Sequence, residues 1–285
     1  MIPSLPRSLA SRCAVAAYVA AFFVFLFVPL VVVAVFAFND ANYPAPPWRG
    51  FTLDWFIGGG AGGRIGLFAD APLLKSIGTS VIVAAWVTVL AVLVGTANAF
   101  LLERARFPGK SALSLLMLSP LVIPGVILGI SILAFASRVA QFADDTWGLE
   151  LDFLRPGLPL VVLGQFSYIV SIATLTIAAR LKRFDATLEE AAFNLGASRG
   201  AVLLTVTLPY LRPALIGAAA ISFLMSFENF NTTLMLVGSD PPLTVMMYGR
   251  MREGASPVLN AVSLFLMVAS ALLALTLLRQ PRRET

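Results

Sequence analysis

The chain has 285 residues, 59% of them hydrophobic and only 12% charged, with a net charge of +5 and a mean hydropathy of +0.89. Soluble domains carry about 25% charged residues, so lipid rather than water is expected to be the main solvent. With no histidine and a single cysteine, Cys13, the composition excludes histidine-based catalysis, the usual zinc sites and an internal disulfide framework.

Six charge-poor runs follow one another: Cys13–Asn39, Ser76–Leu102, Ser111–Ser137, Pro156–Ala179, Pro213–Ser239 (interrupted by Glu228) and Gly254–Leu278. Each exceeds the roughly 20 residues that cross a hydrocarbon core as a helix. The expectation is an all-α, polytopic membrane protein with six transmembrane helices. Lipid leaves unpaired backbone groups unsatisfied, and these runs do not alternate like barrel strands. The first run is longer than the apolar part of a signal peptide and reads as a retained span. Three segments are expected: 1–75 with the first span and an outer loop, 76–275 with five spans, and a basic tail at 276–285.

Most of the 20 Lys and Arg fall on one side if the N-terminus is inside, among them Arg104, Arg106, Lys110, Arg180, Lys182, Arg183 and the tail residues Arg279, Arg282 and Arg283. Arg49, Arg64, Lys75, Arg138, Arg155, Arg250 and Arg252 fall outside. This bias predicts both termini in the cytoplasm, and it explains the basic surplus without nucleic acid as a partner. The outer loop 40–74 is rich in Pro, Gly and aromatics, including Pro46, Pro47, Trp48 and Gly58 to Gly60, and is expected to pack on the outer rim.

The longest cytoplasmic connection runs from Arg180 to Arg212. Thr187 with Glu190 three residues later has the pattern of a capping box, which predicts a short helix to Leu195. Gly196 suits the left-handed residue that closes a helix, Ser198 can cap a second one, and Pro209 is expected to follow its end. Gly109-Lys110-Ser111 echoes a phosphate loop, but Arg104 stands where its first glycine belongs, so the segment reads as a basic turn.

This loop resembles the EAA motif of binding-protein-dependent ABC importer permeases. Glu190, Ala191, Ala192, Gly196, Val206, Leu208 and Pro209 match it at its spacing, with Val206 in place of isoleucine. The resemblance covers Ser76 to about Leu275. It implies that the segment 187–209 is the coupling loop, whose short helix docks in a cleft of an ATPase. It also implies a nucleotide-binding ATPase dimer, a second permease subunit and a periplasmic substrate-binding protein as partners. No cofactor is expected in this chain, because ATP and Mg belong to the ATPase, and no catalytic residue is expected. A secondary transporter or an intramembrane enzyme is the alternative, the latter disfavoured by a lone Glu228.

Glu228 is the only acidic residue within a predicted span, where an uncompensated carboxylate costs about 2.5–3.5 kcal/mol even on the lenient insertion scale. With Phe227, Asn229 and Asn231 it forms a polar, aromatic window. Such a window suits an organic ammonium ion through charge, hydrogen bonds and cation–π contact. The alternative is that Glu228 pairs with a group on a partner permease. Gln165, Ser167 and Tyr168 form a second polar cluster, either part of the pathway or interhelical glue. Pro120 and Pro124 should bend the third span, and Gly125 with Gly129 offers a close-packing face.

The window, then Pro242-Leu243-Thr244-Val245, then the run from Gly254 through Ala255 to Ala261, resembles the spermidine/putrescine permease group. That resemblance implies an organic amine as substrate and a related second chain as the permease partner. Members often carry two acidic residues in the window. The pair Glu228-Asn229 here leaves a mono-cationic amine, an amino-acid derivative, an opine or an iron chelate open.

Overall fold

A computed structural model describes residues 9–44, 46–59, 64–254 and 256–278, with side chains to 272. The predicted contributions of Gly60, Ala255, Arg279, Arg282 and Arg283 lie outside the described residues. The described chain is helical: α1 (Leu9–Phe36), α2 (Asp54–Ile57), α3 (Ala71–Arg104), α4 (Lys110–Val122), α5 (Gly125–Trp147), α6 (Leu158–Leu181), α7 (Thr187–Asn194), α8 (Arg199–Val202), α9 (Leu208–Phe227), α10 (Asn231–Leu236), α11 (Leu243–Glu253) and α12 (Val258–Leu278). A π-helical turn, Leu203–Thr207, joins α8 to α9.

The expectation of six spans is corrected. Among the described residues five helices are long and apolar enough to cross a membrane: Leu9–Phe36, Ala71–Arg104, Gly125–Trp147, Leu158–Leu181 and Arg199–Phe227. Prolines and glycines redistribute the predicted runs. The run from Ser111 is cut at Pro124, and Ile123 before it is extended, at φ −78° and ψ 128°, as the clash with a following proline ring demands. That leaves α4 with 13 residues, about 20 Å, while α5 continues through Arg138 to Trp147. The last run begins late, because Gly254 has φ +143° and the helix forms only after Pro257. Its described apolar segment, Val258–Leu272, is short. The fifth run shifts the other way. Helix begins at Arg199 and passes Pro209 and Pro213 without stopping, so Pro209 is not a helix stop.

Two compact units emerge, one within 1–74 and 247–285, the other Lys75–Met246. In the first, α1 buries none of its side chains and, beyond Arg12 in its first turn, presents an apolar surface, as a lipid-facing helix does. The outer loop is folded. The Trp55 indole Nε1–H donates to the Asn39 carbonyl at 2.8 Å, Phe38 stacks on Phe51 at 5.3 Å, and Arg64 pairs with Asp40. Asp70 accepts from both terminal nitrogens of Arg250, at 2.5 and 2.8 Å. That guanidinium holds the Asp70 carboxyl below its ordinary range.

In the second unit α6 is the central helix, burying Leu160, Val161, Ile169, Ala173 and Ile177. Leucine gains little by leaving lipid for protein, so close approach of small residues and interhelical hydrogen bonds must hold such helices together. A Cβ on Gly95 would lie 3.0 Å from that of Ala173, and one on Gly129 would lie 3.0 Å from that of Met235. Gly129 therefore provides the close contact its spacing predicts, α5 on α10.

Candidate coupling and translocation sites

In the loop 187–209, local backbone chemistry sets the shape. The Thr187–Glu190 capping box does not form. Asp185 caps α7 instead, its Oδ1 accepting from the Thr187 amide at 3.0 Å and the Thr187 hydroxyl at 2.8 Å. These two donors hold the Asp185 carboxyl below its ordinary range. Aspartate two residues before the threonine was the missed signal, since it is as strong an N-cap and captures the first free amides sooner. The C-terminus closes as expected, with Gly196 at φ +85°. The Gly196 amide donates to Phe193 and the Ala197 amide to Ala192, the paired bonds of a Schellman motif. Ser198 caps α8, its Oγ accepting from the Ala201 amide at 3.3 Å.

The motif residues divide by exposure. Glu190, Ala191 and Gly196 are exposed and Ala192 half-buried, whereas Val206 and Leu208 are partly buried and Pro209 is exposed. Leu188, Phe193 and Leu195 are also exposed, Leu195 at 89%. A short helix thus projects apolar side chains beside an acidic one, a surface suited to a protein partner.

Glu189, the residue before the motif, takes a different place. Its carboxylate receives both terminal nitrogens of Arg104, at 2.9 and 3.2 Å, and the Thr207 hydroxyl at 2.6 Å. Arg104 also lies over the Phe184 ring at 5.3 Å, and Phe184 packs edge-on against Tyr210 at 5.0 Å. No sequence signal pointed to Glu189, because Arg104 is 85 residues away.

The second site is the break between α9 and α10. Helix Arg199–Phe227 has 29 residues, about 43 Å, enough to cross by itself. Glu228 is its C-cap residue and so stands where a spanning helix ends rather than within it. The Glu228 side chain is exposed, and its carboxylate has no ion pair or hydrogen bond among the described residues. Asn231 is also exposed and Phe227 half-buried. Asn229 organises the turn. Its Oδ1 accepts from the Thr233 amide at 3.2 Å and the Thr233 hydroxyl at 2.9 Å, and its Nδ2 donates to the Tyr168 hydroxyl. The Asn229 carbonyl accepts from the Thr244 hydroxyl at 2.9 Å.

Gln165 of α6 is the hub behind this turn, 1% exposed. Its Nε2 donates to the Thr233 hydroxyl at 2.8 Å, and its Oε1 accepts from the Ser226 hydroxyl. Gln165 and Tyr168 therefore join α6 to the turn, while Glu228 is exposed beside it. Among the described residues, no three metal-ligating side chains converge.

Residues 91–280 match the family model described as binding-protein-dependent transport system inner membrane component. The chain is 28% identical over 259 residues to the spermidine/putrescine transport system permease protein PotC of Haemophilus influenzae, covering 90% of this chain and 91% of that one. It is 26% identical over 249 residues to the putrescine transport system permease protein PotI of Escherichia coli, covering 87% and 83%. In fold it is similar to a chain of a bacterial alginate ABC transporter solved with an alginate-bound periplasmic protein. That match has a TM-score of 0.75 at 18% identity, over 95% of this chain and 93% of that one. The chain belongs to the binding-protein-dependent transport system inner membrane component family: it is a multi-pass permease subunit of an ATP-binding-cassette importer.

Proposed function

We propose that this permease carries a polyamine or a related organic amine. The observation that supports the reading best is the exposed, unpaired carboxylate of Glu228 at the end of a 29-residue helix. The C-terminal end of a helix carries about half a negative charge, which a carboxylate there reinforces. The spot favours a cation, and Phe227 and Asn231 beside it supply an aromatic face and an amide. The names of the relatives, transport of putrescine and of spermidine, agree with this class. The segment 187–209 is the coupling loop, with Glu190, Ala191, Ala192 and Gly196 at the ATPase. Val206, Leu208 and Pro209 set the foot of the following span. The basic bias of Arg104, Arg106, Lys110, Lys182 and Arg183 supports a cytoplasmic loop and cytoplasmic termini. The second permease subunit is a related chain, as the resemblance to the polyamine group implies.

Calorimetry on the cognate binding protein, with putrescine, spermidine, basic amino acids, sulfate and neutral sugars, tests the substrate class. Micromolar binding of an amine is expected, on the order of −8 kcal/mol. In membrane vesicles Glu228→Gln should lower uptake of that amine about tenfold, from loss of one charge–charge contact. Binding of sulfate or a sugar alone would overturn the amine reading.

A further inference from the structure

We propose that Glu189 is the positioning residue that carries motion of the coupling helix into two spans at once, α3 through Arg104 and α9 through Thr207. The proposal rests on the coupling reading of the loop 187–209 and adds the path by which force leaves it.

Helix α7 buries none of its side chains, and its C-terminal end is a glycine at φ +85°. A short helix with no buried face, joined to the body through a glycine turn, moves its neighbours only through specific contacts. Glu189 makes those contacts: its side chain is 19% exposed, whereas that of Glu190 is exposed. The carboxylate bridges the last residue of α3, Arg104, and the last residue of the π turn, Thr207. A bidentate arginine–carboxylate pair fixes orientation as well as distance, so a tilt of α7 is passed on and not merely a push.

The Thr207 hydroxyl is where the second arm ends. Two residues earlier, Thr205 donates to the Ala201 carbonyl at 2.7 Å, the usual back-bond of a helical threonine. Thr207 is 1% exposed and donates to Glu189 instead. A π turn is a strained insertion that frequently occurs at functional positions. Here it stands directly before α9, the helix that ends at Glu228. The Glu189 carboxylate therefore connects the docking helix with the foot of the helix whose far end carries the unpaired carboxylate.

The test uses the complete importer, this chain with its permease partner, ATPase and binding protein, in lipid nanodiscs. Spin labels at Asn194→Cys in α7 and Leu204→Cys in the π turn, in a Cys13→Ser background, report their separation. Measurements are made without nucleotide and after trapping with MgATP and vanadate. With Glu189 present, the mean separation should stay within about 2 Å, because helix and turn travel together. Glu189→Ala should let it shift or broaden beyond that. Uptake of putrescine per ATP hydrolysed should fall about tenfold, as a lost coupling of this kind implies, with thermal stability of the complex unchanged. Glu189→Gln keeps an acceptor for the Thr207 hydroxyl and should keep the separation.

An unchanged separation in Glu189→Ala would overturn the proposal, as would loss of thermal stability together with ATP hydrolysis. A second label pair, Asn194→Cys and a site on the ATPase, tests the docking reading separately. Absence of any dipolar contact there removes the foundation, whatever Glu189 does. Contact there with no effect of Glu189→Ala removes only the strut.

Discussion

Helix is interrupted at both candidate sites, between α7 and α8 at Gly196 and between α9 and α10 at Glu228–Phe230, and the interruptions are held by different chemistry. The first is fixed by neighbours in sequence. Asp185, Gly196 and Ser198 each satisfy amides or carbonyls within a few residues, while the side chains of Glu190, Ala191 and Leu195 remain available outside. The second is fixed from a distance. Ser226 and Thr233 are tied to Gln165, about 60 residues away on another helix. Where water can solvate the backbone, a local cap suffices to shape an exposed element. In an apolar interior the local cap, Asn229 on the Thr233 amide, is joined by hydroxyl bonds to another helix.

The strongest test of this contrast is Gln165→Leu. It leaves the Ser226 and Thr233 hydroxyls without their α6 partner, and about 2 kcal/mol of stability should be lost, measurable by intrinsic fluorescence during thermal unfolding in detergent. A loss below a few tenths of a kcal/mol would mean that the break stands without α6. Gly196→Ala should have a smaller effect, about 1–2 kcal/mol, confined to the coupling loop. The left-handed backbone costs that much with a Cβ, although no atom crowds the position. Amide exchange should rise in 187–198 and stay unchanged in α6.

The smallest effect is that of acid on the α7 cap. The Asp185 carboxyl is held below its ordinary value of 3.8 by the Thr187 amide and hydroxyl. Its contribution is thus complete above that value and disappears as pH falls through the lower folded one. Amide protection at Thr187 should be level from pH 7 to about pH 5 and decline only below pH 4. Asp185→Asn should keep the cap and abolish the decline.

The same contrast explains what was legible in the sequence. Class, helical content and the turn between α7 and α8 were readable, because hydropathy, Gly196 and Ser198 report on their own surroundings. The span count was not, since it depended on where Pro124, Gly254 and Pro257 break helices and where Pro209 and Pro213 do not. Pro209 stands in the first turn of α9, where the amide it lacks has no regular partner, whereas Pro213 lies inside the helix without ending it. The polar window from Ser226 to Thr233 stood out as unusual, but its division into Asn229 bonded to Tyr168 and an exposed, unpaired Glu228 could not be read along the chain. Glu189 was hidden altogether: beside Glu190 it resembles a second surface acid, and only the arrival of Arg104 distinguishes the two.

The π turn at Leu203–Thr207 has a consequence for phase. Each residue advances an α-helix by about 100°, so an inserted residue rotates everything before it against everything after it by about that angle. The turn is therefore an angular offset between the cytoplasmic foot of the helix, which presents Val206 and Thr207, and the long shaft that ends at Phe227. Deleting one residue there would leave composition, hydropathy and length almost unchanged. It would restore regular winding and turn one half of the helix relative to the other. A subunit altered in this way would still enter the membrane, but its foot and its far end would no longer address the same pair of neighbours.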